Sequence, residues 1–235
     1  MKTIGLLGGM SWESTDLYYQ QINQEVHKSL GGLNSAKIIL NSVNFAEIEE
    51  LQKVGNWEKA GNLLKKEALK LQLAGVDGIA LCTNTMHICA SQITNDLTVP
   101  FLHIADATAQ MILEQDIQHI ALLGTRFTME QPFYREHLEK SGIQVAIPND
   151  EDRTIIHDII YNELCHGKII ETSRLKFIEI IQRLKDDGTK GIVLGCTEIG
   201  MLLPEQEILT MPLFDTTKAH VKQIVDFVLD LRRSI

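Results

Sequence analysis

The sequence predicts an α/β protein made of two similar domains, each a parallel sheet covered by helices. Three observations carry this. Short apolar runs at 3–7, 36–40, 78–81, 120–123 and 191–194 alternate with amphipathic stretches, the pattern of parallel strands joined by helices. The runs are apolar throughout, as expected of strands buried on both faces. The chain also resembles itself. Ile4-Gly5-Leu6-Leu7-Gly8 matches Ile120-Ala121-Leu122-Leu123-Gly124 at an offset of 116. Gly78-Ile79-Ala80-Leu81-Cys82-Thr83 matches Gly191-Ile192-Val193-Leu194-Gly195-Cys196-Thr197, at 113 before Gly195 and 114 after it. Val99-Pro100-Phe101-Leu102 matches Met211-Pro212-Leu213-Phe214 at 112. Three matches in one order argue for two copies of one unit, and a period this long is not a solenoid's.

Helical patterns fill 14–29, 57–74, 108–115, 131–140, 152–166, 172–187 and 218–232. The expected first domain is 1–103 with 214–235, and the expected second is 104–213. The last helix then packs back on the first domain. No low-complexity linker separates the two.

A chain of 235 residues with 44% hydrophobic and 23% charged side chains can bury a core without disulfides or metals. Its 22 basic and 31 acidic side chains leave a formal charge of −9 with no Lys/Arg run, which argues against a nucleic-acid partner. No apolar stretch reaches the roughly 18 residues that span a membrane. The apolar start is short and lacks a signal peptide's cleavage site, so a cytoplasmic location is expected. The cysteines Cys82, Cys89, Cys165 and Cys196 are then thiols. None forms a Cys-x-x-Cys pair, so the usual zinc signal is absent and no metal is expected.

Each copy of the repeat ends a strand with Cys-Thr: Cys82-Thr83-Asn84-Thr85-Met86-His87 and Cys196-Thr197-Glu198-Ile199-Gly200. Ligands of parallel sheets bind beyond the carboxyl ends of strands. A helix start after each cysteine offers N–H groups and a positive dipole end, which favour the reactive thiolate. Thr83, Asn84, Thr85 and Thr197 add hydroxyl and amide groups suited to a small polar ligand. Two equivalent cysteines facing each other across a cleft suit inversion of an amino acid's α-carbon. One thiolate removes the proton while the opposite thiol returns one to the other face. Cys89 and Cys165, in helical patterns without repeat partners, read as packing. His87 and His103 read as ordinary core or surface histidines, and Met86, Met129 and Met201 as apolar packing. Glu47, Glu49 and Glu50 read as a solvated face.

These motifs, with Gly8-Gly9-Met10-Ser11-Trp12-Glu13-Ser14-Thr15 and the segment from Leu123-Gly124-Thr125 to Gln131, resemble the aspartate/glutamate racemase superfamily over essentially the whole chain. The likeness is greatest to its broad-specificity amino-acid racemases. The resemblance implies two α/β/α domains with parallel four-stranded sheets, related by a pseudo-twofold axis, with the active site in the cleft between them. It also implies catalysis without pyridoxal phosphate or another cofactor, an amino-acid substrate, and a homodimer. Carried over by motif, Cys82 and Cys196 are the acid/base pair, and Thr83, Asn84 and Thr85 contact the α-carboxylate. Thr197 and Glu198 form the second half-site, with Glu198 orienting the ammonium group. Met10, Gln52 and Lys168 are similar to positions near the substrate. Some aspartate racemases place an arginine just after the second strand. Here Glu47-Ile48 occupies that region, which argues against strict aspartate specificity unless Lys168 supplies the charge.

Other functions remain open on the same residues. An isomerase or decarboxylase of small dicarboxylates needs related carbon-acid chemistry, but decarboxylation needs only one proton donor. A non-catalytic amino-acid sensor has no use for both thiols. A thiol–disulfide enzyme needs the sulfurs within bonding range.

Overall fold

The computed structural model describes residues 1–203 and 211–231. The chain divides into two compact units, Met1–Ile104 with His220–Ile235, and Ala105–Ala219. In the first, the elements run β1 (Thr3–Gly8), α1 (Trp12–Leu30), β2 (Lys37–Ser42), α2 (Phe45–Lys53), α3 (Trp57–Leu73) and β3 (Gly78–Leu81). A 3-10 turn (Thr85–Cys89), α4 (Ala90–Thr94) and β4 (Phe101–Leu102) follow. The strands form one parallel sheet in the order β2-β1-β3-β4. Along β1 and β3 the side chains alternate between two cores, as the period of a strand requires. Leu7, Ile79 and Leu81 pack with α3 residues such as Leu64 and Leu71. Ile4, Leu6, Ala80 and Cys82 pack with Tyr18, Ile22 and Val26 of α1.

The second unit takes α5 (Ile104–Leu113) from its second residue, then β5 (His119–Gly124), α6 (Arg126–Glu130), α7 (Pro132–Glu139), β6 (Gln144–Ala146) and α8 (Asp150–Asn162). It continues through a 3-10 turn (Leu164–His166), α9 (Glu171–Asp186), β7 (Ile192–Gly195), α10 (Ile199–Leu202), β8 (Leu213–Asp215) and the first turn of α11 (Thr216–Val228). Its sheet is again parallel, in the order β6-β5-β7-β8. The same order in both units is the architecture behind the internal repeat. Ala121, Leu123, Ile192 and Leu194 bury one face of this sheet against α8 and α9, around Phe177.

Local sequence sets the helix limits. Ser11 caps α1 by accepting from the Ser14 N–H, and the Gly31 N–H closes it on the His27 carbonyl at 2.7 Å. Asn56 caps α3 and Asn149 caps α8 in the same way. Pro132 opens α7, where its missing N–H costs nothing. Among the described residues, no helix is long and apolar enough to cross a membrane.

Two expectations need correction. The boundary placed at 213/214 lies at Ala219/His220 instead, because Leu213 and Phe214 pair with Ile192 and Val193 in the second sheet. From His220 onward, α11 does return to the first unit: Val221, Ile224, Val225 and Val228 lie in the core built on α1. The pattern extended to residue 232, which lies outside the described residues. Finally, β2 is not buried on both faces. It is an edge strand with a single neighbour, β1, and Leu40 is 46% exposed.

A pinch of the second sheet fixes the site. Gly195, in register with Gly124, has no room for a side chain: a Cβ there would lie 2.9 Å from the Leu123 carbonyl oxygen and 2.8 Å from Leu122 Cδ1. Gly195→Ala is therefore expected to lower unfolding stability by about 1–3 kcal/mol, read by thermal or urea unfolding. Wild-type stability would show that β5 and β7 have room to part.

Candidate active site

Cys82 follows β3 directly. Its N–H donates to the Leu7 carbonyl at 2.9 Å, extending the β1–β3 ladder by one residue. Its own carbonyl accepts from the Ser14 hydroxyl at 3.3 Å, which joins it to the start of α1. The approach of α1 depends on the glycine pair. A Cβ on Gly8 would sit 2.4 Å from Thr15 Cγ2, and Gly9 has φ +92°. The Thr15 hydroxyl accepts from the Gly9 N–H at 2.8 Å and donates to the Ser11 carbonyl at 2.9 Å. Gly8-Gly9 is thus a tight turn wrapped on Thr15. Met10 emerges from it buried, packed with Ile48 and Met86.

The residues after Cys82 turn sharply. The Thr83 N–H donates to the Leu81 carbonyl at 2.9 Å, and Thr83, Asn84 and Thr85 are all buried. Gln52, buried on α2, donates to Met86 Sδ at 2.9 Å, which holds it against the same turn. Met10 and Gln52 thus both lie against Met86, joined to Cys82 through the buried run Thr83-Asn84-Thr85, while the Cys82 side chain itself packs in the core built on α1. The thiol is fully buried, and burial pushes its pKa far above the ordinary range.

Cys196 likewise follows its strand, β7, directly, but β7 runs one residue further than β3, so Cys196 is not the strict equivalent of Cys82. The register pairs Leu81 with Leu7 and Leu194 with Leu123, which makes Gly195 the counterpart of Cys82. Because Gly195 can carry no side chain, the thiol arrives one position later. It packs with Leu194 in the core of α8 and α9, on the strand face opposite to the one Cys82 takes in its own unit. Cys196 Sγ donates to Glu198 Oε2 at 2.9 Å, and the Thr197 hydroxyl donates to the same oxygen at 2.5 Å. All three residues are buried. Burial first, then the Glu198 carboxylate and Cys165, hold the Cys196 pKa well above its usual value. The Thr216 hydroxyl donates to the Leu194 carbonyl at 2.8 Å and steadies the strand end.

The expected thiolate stabilisation is therefore corrected. The helical segments after the cysteines are a five-residue 3-10 turn and the four-residue α10, and burial outweighs any dipole they offer. Lys168 is exposed, and only its backbone N–H is held, by the Glu163 carbonyl at 3.0 Å. It is not part of the hydrogen-bonded group of Cys196, Thr197 and Glu198. Cys89 is buried and donates to the Trp57 carbonyl at 3.4 Å, as a packing cysteine would. Glu47 is exposed and Ile48 fully buried on α2, whose one basic residue is Lys53 in its last turn. Sequence reasoning missed Ser14 and Thr216. A hydroxyl inside a helix start gives no periodic signal, although the Ser11-x-x-Ser14 spacing marks a cap.

The sequence profile of the Asp/Glu/hydantoin racemase family matches residues 7–224. A crystal structure from Yersinia pestis, described provisionally as an Asp/Glu racemase, is 52% identical. It superposes with a TM-score of 0.91, covering 97% of this chain and 100% of that one. The structure of an aspartate racemase homologue from Pyrococcus horikoshii is 31% identical, with a TM-score of 0.83 and the same coverage. The broad-specificity amino-acid racemase RacX of Bacillus subtilis is 26% identical over 166 residues, 69% of each chain. With its whole two-sheet architecture matched and the family profile spanning both strand-end cysteines, the chain belongs to the Asp/Glu/hydantoin racemase family, isomerases that work without pyridoxal phosphate.

Proposed function

We propose that this protein racemises small amino acids, with Cys82 and Cys196 as the two acid/base groups. The observation that carries the reading is the pair of thiols at the carboxyl ends of corresponding strands in two sheets of the same order. Each thiol has a buried threonine as its next neighbour. On this reading the sulfurs address opposite faces of the α-carbon. One thiolate takes the α-proton, forming an S–H bond, while the C–H electron pair stays on the α-carbon. The other thiol gives its proton to the opposite face and becomes the thiolate. The enzyme thus ends each turnover in the mirrored protonation state, ready for the reverse reaction. Thr83, Asn84 and Thr85 hold the α-carboxylate, where fixed donors in a buried site stabilise the developing charge. Met10, Gln52 and Thr197 line the same substrate, and the expected setting is a homodimer in the cytoplasm.

The reading extends to a broad substrate set. No basic side chain stands on α2 near Glu47 and Ile48 to anchor a side-chain carboxylate. Lys168 is the proposed supplement for acidic substrates, so Lys168→Ala is expected to raise KM for aspartate and glutamate selectively.

Glu198 makes the two thiols unequal. It holds a proton on Cys196 and, with substrate bound, also faces the ammonium group. The carboxylate raises the Cys196 pKa, so removing its charge lowers it. For the enantiomer that Cys196 deprotonates, rate rises with pH as the thiolate forms. In Glu198→Gln this rising limb is expected to move to lower pH, while KM increases. An unmoved limb would separate Glu198 from Cys196 chemistry.

The direct test is incubation with a panel of L- and D-amino acids in D₂O, after exhaustive dialysis with a chelator and without pyridoxal phosphate. Deuterium at the α-carbon and loss of optical purity are expected for acidic and uncharged side chains alike. Activity that needs either addition restored, or reaction of aspartate and glutamate alone, would contradict the corresponding part of the proposal.

A further inference from the structure

His87 lies outside the acid/base chemistry, yet it is fully enclosed behind the Cys82 loop. Its Nδ1 is 2.7 Å from the Thr83 carbonyl oxygen, an acceptor, so Nδ1 must carry a hydrogen. Its Nε2 is 3.3 Å from the Ile104 N–H, a donor, so Nε2 must present a lone pair. The two partners leave one neutral tautomer that satisfies both ends of the ring. Ile104 is the last residue of the first unit before the chain enters the second.

A parallel arrangement holds the return of the chain. His220, where α11 re-enters the first unit, donates from Nε2 to the Leu102 carbonyl at 2.8 Å and accepts the Tyr18 hydroxyl on Nδ1 at 2.9 Å. The His87 ring lies 4.5 Å from His103 and 6.1 Å from His220, centroid to centroid. Burial, with these two imidazoles facing it, holds the His87 pKa well below the ordinary histidine value. The strand ladder ends at Cys82; beyond it the Thr83 N–H folds back on the Leu81 carbonyl, and two side chains hold the carbonyls that follow. The Ser14 hydroxyl holds the Cys82 carbonyl, and the His87 imidazole holds the Thr83 carbonyl.

We infer that His87 is a positioning residue for Cys82: through its Nδ1–H bond to the Thr83 carbonyl and its Nε2 bond from the Ile104 N–H, it fixes the Thr83–Asn84 peptide and so holds the sharp turn that begins at the thiol's own residue. The inference rests on the racemase reading for its kinetic test. It predicts an effect largest in the half-reaction that Cys82 serves.

The experiment compares α-deuterium exchange of the L- and D-substrate by wild type, His87→Gln and His87→Asn, with the Cys82-served enantiomer assigned from a Cys196→Ser variant. The asparagine amide can replace Nδ1 toward Thr83, whereas glutamine reaches instead toward Ile104. His87→Gln is expected to lose roughly tenfold to a hundredfold in kcat for the Cys82-served enantiomer, with little change in KM. His87→Asn is expected to recover part of that loss. Exchange of the other enantiomer should change less than the Cys82-served exchange in both variants. Equal losses on both enantiomers, with no difference between the two variants, would overturn the inference. If the variants fail to fold, nitrogen-15 NMR of the wild-type imidazole decides. A ring protonated on Nδ1 alone between pH 6 and 8 supports the assignment, and the Nε2–H tautomer or an imidazolium overturns it. Wild type that exchanges neither enantiomer would instead sink the racemase reading, while the NMR test of the His87 bonds would still stand.

Discussion

Backbone spacing between neighbouring parallel strands governs where each thiol leaves its sheet. In the first unit, β1 and β3 leave a position after Leu81 that can carry a side chain, and Cys82 fills it on the α1 face. In the second, the approach of Gly124 and Gly195 excludes any Cβ at the corresponding point. The chain therefore advances one residue before it presents Cys196, and that single step changes the strand face. The two units share a strand order and an internal repeat, but their strand-end cysteines are offset.

The offset has an electrostatic counterpart. Burial raises the pKa of both thiols, as expected when a charged sulfur would lose its water. Only Cys196 also donates to a carboxylate two residues on. Cys82 is instead framed by neutral groups: the Ser14 hydroxyl on its carbonyl and the Thr83–His87 pair beyond it. A racemase must handle two mirror-related substrates with one protein that is itself chiral. On the proposed mechanism, thiols of unequal environment still serve both directions, because each turnover exchanges their protonation states.

Much of this was legible in the residues. The repeated Leu-Cys-Thr and Leu-Gly-Cys-Thr ends located both cysteines, whereas the repeat of Val99-Pro100 in Met211-Pro212 falls just before the fourth strands, which no apolar run had marked as strands. The change of offset from 113 to 114 at Gly195 was visible as well, but its meaning was not. Only the strand register shows that Gly195, not Cys196, is the counterpart of Cys82. The domain boundary was misplaced because β8 looks like the start of a returning segment, while its backbone bonds belong to β7. The thiolate expectation failed because sequence shows which residues follow a cysteine but not how little water reaches it. His87 gave no signal, since both its partners are backbone groups, and Lys168 carried a motif likeness without the contacts that would join it to Cys196.

The central claim is that each thiol serves one face of the α-carbon, and single cysteine variants test it most directly. Serine at either position leaves a hydroxyl that is far harder to ionise than a thiol. Cys82→Ser and Cys196→Ser should each lose racemisation, and each should retain, at most, α-deuterium exchange of one enantiomer, opposite in the two variants. Proton NMR of L- and D-substrate in D₂O with each purified variant reads this outcome. Full racemisation by either variant, or exchange of both enantiomers by one of them, would contradict the two-thiol account.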